Sequence, residues 1–93
     1  MDTKIQTKII EFLSDKLSPK LIYLFGSTIK GEAKKASDID IAFLSDKKID
    51  EYQTFMLAQE LAGLLEYDID LIDIKKASTV FQSQIVSTGK VIY

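Results

Sequence analysis

Leu21-Ile22-Tyr23-Leu24-Phe25-Gly26-Ser27, then ten residues, then Asp38-Ile39-Asp40-Ile41-Ala42-Phe43-Leu44: the reading of this stretch decides the fold. The first run is short, apolar and β-prone and stops at a glycine, which predicts a buried central strand. The second sets carboxylates alternately with aliphatics and then turns apolar, as a strand does whose first residues emerge from the core. Working outward, Ile5, Ile9, Phe12, Leu13 and Leu17 recur at helical spacing over residues 3–17, with Asp2 or Thr3 as N-cap and Ser18-Pro19 as the stop. Residues 28–34 have room for only a short helix. From Asp50 to Glu66, Tyr52, Phe55, Met56, Gln59, Leu61, Gly63, Leu64 and Leu65 form a stripe that predicts the longest helix. Residues 68–74 read as a third strand. Ser78 caps a further helix with Val80, Phe81, Ile85 and Val86 as its apolar face, Gly89 supplies its C′ residue, and Lys90-Val91-Ile92-Tyr93 is a short edge strand. The alternation predicts an α/β fold: a small mixed β-sheet covered by helices, in one domain over residues 1–93.

Composition narrows the chemistry. The 93 residues include no His, Cys, Trp, Arg or Asn, and all 12 basic residues are Lys. Serine–histidine triads, thiol catalysis and Cys/His zinc sites are therefore excluded. Fourteen carboxylates remain, and carboxylates select hard cations such as Mg²⁺. A net charge of −2 argues against direct nucleic-acid binding, which needs a concentrated basic face. The longest wholly apolar run, Leu21 to Phe25, is far short of the ~20 residues of a membrane span, and Met1-Asp2-Thr3 does not open a signal peptide, so the expectation is a cytoplasmic protein without membrane contact.

Three features carry candidate chemistry. Gly26-Ser27 follows a buried strand, where glycine lets a phosphate approach the backbone and the following amides attract anions. Asp38 and Asp40 lie two apart on a strand and point to one side, within reach of a shared cation. Asp68 and Asp70 share a face of the third strand, with Asp73 opposite; Asp73, out of phase and followed by Lys75-Lys76, reads as a solvated strand end. Taken singly, a Gly-Ser is a turn and alternating aspartates are an exposed edge. Joined at this spacing they make a specific pattern.

Leu24-Phe25-Gly26-Ser27, its ten-residue spacer and Asp38-Ile39-Asp40-Ile41 resemble the motif of the minimal nucleotidyltransferases of the DNA polymerase β superfamily. Ile69-Asp70-Leu71-Ile72-Asp73-Ile74 resembles the strand bearing that family's third carboxylate. The resemblance implies the polymerase-β-type nucleotidyltransferase fold and transfer of a nucleoside monophosphate from an NTP with two Mg²⁺ ions. By matching position, Asp38 and Asp40 would ligate both metals, Asp70 would hold the catalytic one and help deprotonate the acceptor hydroxyl, and Gly26 and Ser27 would bind the β and γ phosphates. Lys30 stands near where many members carry Arg and supplies a point charge rather than a bidentate fork. Asp68 falls outside the matched position. Similar stand-alone members act as antitoxins that move AMP from ATP to a tyrosine of a HEPN-domain RNase toxin. That partner is the one implied; a homo-oligomer, a degenerate antitoxin or scaffold that only binds its partner, and a transferase for a small hydroxylated molecule stay open.

Overall fold

A computed structural model describes residues 2–26 and 38–93. Helix α1 (Thr3–Leu17) begins at Asp2, whose carboxylate accepts the Lys4 N–H at 2.9 Å, and turns Ile9, Leu13 and Leu17 inward. It stops at Ser18, which adopts a left-handed φ of 45° immediately before Pro19. Proline cannot continue the helical bonding, so the stop is sharp. Strands β1 (Leu21–Phe25) and β2 (Ile39–Leu44) are antiparallel, and β3 (Ile69–Asp73) lies parallel to β2. A parallel pair needs a crossover, supplied by α2 (Glu51–Leu65). Its first turn is locked by a capping box in which Gln53 N–H donates to Asp50 Oδ1 at 2.7 Å and Asp50 N–H to Gln53 Oε1 at 2.9 Å. After a 3₁₀ turn (Ile74–Lys76) and α3 (Thr79–Thr88), β4 (Lys90–Val91) pairs with β1, giving the sheet order β3-β2-β1-β4. The mixed sheet and flanking helices are those anticipated.

Strand alternation divides the core into two. On one face Ile22, Leu24, Ile39, Ile41 and Phe43 pack under α1 and α2; on the other Tyr23 and Ala42 pack with Ile74 and with Ile85 of α3. Four expectations need correction. The stripe of α2 is really two faces: Ala58, Leu61 and Leu65 point inward, whereas Tyr52, Phe55, Met56 and Leu64 are exposed. Similarly, Val80 and Val86 of α3 are exposed, because a helix packed on a four-stranded sheet buries one narrow seam, here around Ile85. Gly89 keeps an ordinary φ of −77°; what requires glycine is close approach, since a Cβ would lie 2.5 Å from the Ile85 carbonyl oxygen. Asp73 is not a solvated end. It is 6% exposed, because the chain turns at once into the 3₁₀ turn and its Oδ1 caps that turn by accepting the Lys75 N–H at 3.1 Å. The short helix expected over residues 28–34 lies outside the described residues.

Candidate active site

The register of the sheet gathers residues far apart in sequence. Directly opposite residues on paired strands point to the same face, and Asp40 stands opposite both Phe25 on β1 and Asp70 on β3. It occupies the middle of a row running across three strands. Asp38 precedes β2 by one residue and shares the parity of Asp40, so Asp38, Asp40 and Asp70 share the α3 side of the sheet. Asp38 and Asp70 are exposed and Asp40 is half-buried. Beside them, Phe25 meets Phe81 of α3 edge-to-face, with ring centroids 5.8 Å apart.

Gly26 continues from Phe25 with φ +64°, a left-handed conformation that favours glycine. A Cβ there would stand 3.3 Å from Asp40 Cγ and closer still to Oδ2. The bare backbone is what lets the Asp40 carboxylate lie against the turn. The Asp40 pKa is raised above 3.8, first by burial and then by the charges of Asp70 and Asp38. Among the described residues no three acidic side chains converge tightly enough to cage a metal ion outright. The donor set nonetheless suits a hard divalent cation: three carboxylates on one sheet face, whose mutual repulsion at Asp40 a cation would relieve. Asp68 lies just before β3, and its carbonyl accepts the Ile39 N–H at 2.8 Å. Ser27 and Lys30, the other candidate phosphate ligands, lie outside the described residues. The sequence reading missed the Phe25–Phe81 pair; the aromatic that ends β1 next to Gly26 was its available signal.

A sheet with carboxylates on adjacent central and edge strands, beside a glycine turn, is the arrangement expected of a nucleotidyltransferase fold. The family described as "Polymerase beta, Nucleotidyltransferase" matches residues 7–93, and the chain belongs to it. It is similar to the protein adenylyltransferase MntA of Shewanella oneidensis, 46% identical over 90 residues, and covers 95% of this chain but 64% of that one, so it spans less than two thirds of this relative's length. Among solved structures it resembles a chain of a toxin–antitoxin complex with AMP-PNP (TM-score 0.89, 44% identity, 95% of this chain and 72% of that one). It also resembles one from a tri-AMPylated Shewanella oneidensis HEPN toxin in complex with MNT antitoxin (TM-score 0.85, 41% identity, 100% and 72%). No helix among the described residues is long and apolar enough to cross a membrane.

Proposed function

We propose that this chain is a Mg²⁺-dependent protein adenylyltransferase that moves AMP from ATP to a tyrosine hydroxyl of a separate HEPN-type toxin, in the cytoplasm where ATP is at hand. The observation that carries this reading is the register that sets Asp40 beside Asp70 with Gly26 against Asp40; the similarity to an MntA adenylyltransferase and to a complex with an AMPylated toxin supports the choice of donor and acceptor. Asp38, Asp40 and Asp70 are the residues that would hold two Mg²⁺ ions, which when bound would stabilise charge on the attacking and leaving oxygens. Gly26 would face the triphosphate, its exposed backbone admitting phosphate oxygens that a side chain would exclude, and Ser27 and Lys30 are the phosphate ligands the sequence motif offers. Asp70, exposed on the strand beside Asp40, takes the acceptor's proton as the phenolic oxygen forms its bond to the α-phosphorus. The bond from that phosphorus to the bridging oxygen breaks, pyrophosphate leaves, and the proton passes from Asp70 to solvent.

The test is to incubate the purified chain with a HEPN toxin, ATP and Mg²⁺ and weigh the toxin intact. A gain of one or more AMP units, lost with Asp40→Asn, is expected. A toxin that is inhibited in a stable complex yet keeps its mass would overturn transfer in favour of inhibition by binding alone.

A further inference from the structure

Strand β3 is the outer strand of the sheet, and among the described residues nothing pairs with its far side. The Ile39 N–H to Asp68 C=O bond fixes which peptide groups face that side: those of Asp68, Asp70 and Ile72 turn toward β2, and those of Ile69, Leu71 and Asp73 turn outward. This edge is not a flat exposed rim. It floors a groove of about 440 Å³ walled by Phe55 and Gln59 of α2 on one side and by Ala77 and Phe81 on the other. Exposed edges are commonly blunted by charged side chains, Pro or a bulge; β3 has no Pro and an unbroken register with β2, and of its two charges Asp70 belongs to the site and Asp73 is buried. Phe55 is instead left 57% exposed beside it.

We propose that a tyrosine-bearing segment of the partner protein docks in this groove as an extended strand paired with the outer edge of β3; this docking mode rests on the transferase reading above. Three observations select an extended polypeptide over a helix or a small molecule. Outward peptide groups at alternate residues can be satisfied along their length only by another strand, which would lie ~4.8 Å away. The groove runs along β3 to Asp70, and a guest residue beside Asp70 shares its face, so its hydroxyl arrives next to that carboxylate. Across the sheet the order becomes Asp40, Asp70, acceptor, which leaves Asp70 between the nucleotide side and the hydroxyl it must deprotonate. At its other end the groove shares Asp73 and Lys76 with a second cleft rimmed by Lys48 and Lys75.

Hydrogen exchange followed by NMR on the full chain, alone and saturated with the HEPN toxin without ATP, tests the docking mode. The Ile69 and Leu71 amides are expected to exchange at least about tenfold more slowly in the complex, whereas those of Asp70 and Ile72, already bonded to β2, change much less. In the same complexes supplied with MgATP, Phe55→Lys should raise the toxin concentration for half-maximal modification about tenfold and leave MgATP affinity by calorimetry unchanged. Modification of the toxin with Ile69 and Leu71 unprotected overturns edge pairing and leaves the transferase reading standing. Protection without modification supports the pairing and removes the transferase reading. Protection that appears in the chain alone as its concentration rises overturns the proposal in favour of two copies pairing edge to edge.

Discussion

Gly26→Ala separates what the turn does for folding from what it does for chemistry. Two effects follow from the geometry. An alanine held at φ +64° carries a left-handed strain of about 1–2 kcal/mol, which in a domain of this size lowers the melting temperature by roughly 4–16 °C. Its methyl group would also stand inside 3 Å of Asp40 Oδ2, and restoring an ordinary contact of 3.4 Å requires that oxygen to move by about 1 Å. The oxygen is the tip of a rotatable side chain, so the movement adds little to the folding penalty. It does carry Asp40 away from the position opposite Asp70, and a misplacement of ~1 Å in a catalytic array costs on the order of a hundredfold in rate. Thermal unfolding and Mg²⁺-dependent ATP binding by calorimetry, read together with AMP transfer by intact mass, check both halves. A modest melting shift beside a loss of transfer of about a hundredfold is the expected outcome. Wild-type transfer from a protein destabilised by the expected amount would refute the reasoning, because it would show that Asp40 need not lie against the turn.

Asp40→Asn should make the chain melt higher at neutral pH. The folded state holds the Asp40 proton more tightly than the unfolded one, so ionisation destabilises the fold above the carboxylate range; that penalty disappears as pH falls through the raised pKa toward 3.8, and the advantage of the variant should close over the same interval. A gap that is constant with pH would contradict the electrostatic origin. Ser45→Ala removes a buried hydroxyl that donates to the Leu17 carbonyl at 2.5 Å and accepts the Lys47 N–H at 3.1 Å, and should lower stability by about 1–3 kcal/mol in denaturant unfolding. Asp73→Ala strips the cap from the 3₁₀ turn and should lower it by about 1 kcal/mol; an unchanged unfolding midpoint would show that the cap is dispensable.

The elements that could be read from the sequence were those with one dominant period. The β1 run stops at Gly26, the Asp38-x-Asp40 alternation opens β2, and the α1 stripe ends at Ser18-Pro19, so each carries its own boundary. Register was not legible: nothing local to Asp40 or Asp70 states that they will stand side by side, because the pairing is set by the α2 crossover between them. The α2 stripe misled because apolar residues occur around the whole helix, and composition cannot say that Ala58, Leu61 and Leu65 rather than Tyr52 and Phe55 face the sheet. Asp73 misled for a related reason. A carboxylate followed by two lysines looks solvated, yet here the next residues double back, with Lys76 Nζ donating to the Ile49 carbonyl and Lys75 Nζ to that of Lys47 at 3.2 Å.

The two faces of the sheet bear unequal loads. Two helices and most of the buried aliphatic side chains lie on one, while the carboxylates share the other with α3 and a handful of apolar residues. In a saturation-mutagenesis screen scored separately for abundance in the cell and for transfer, substitutions at Ile9, Leu13, Ile41 or Leu61 would fall in both scores, and those at Asp38, Asp40 or Asp70 in the second alone. On the proposed transferase reading, selection could therefore switch the chemistry off without dismantling the scaffold. A descendant that has lost Asp40 would still fold, still present the β3 groove, and be free to drift toward holding a partner it no longer modifies.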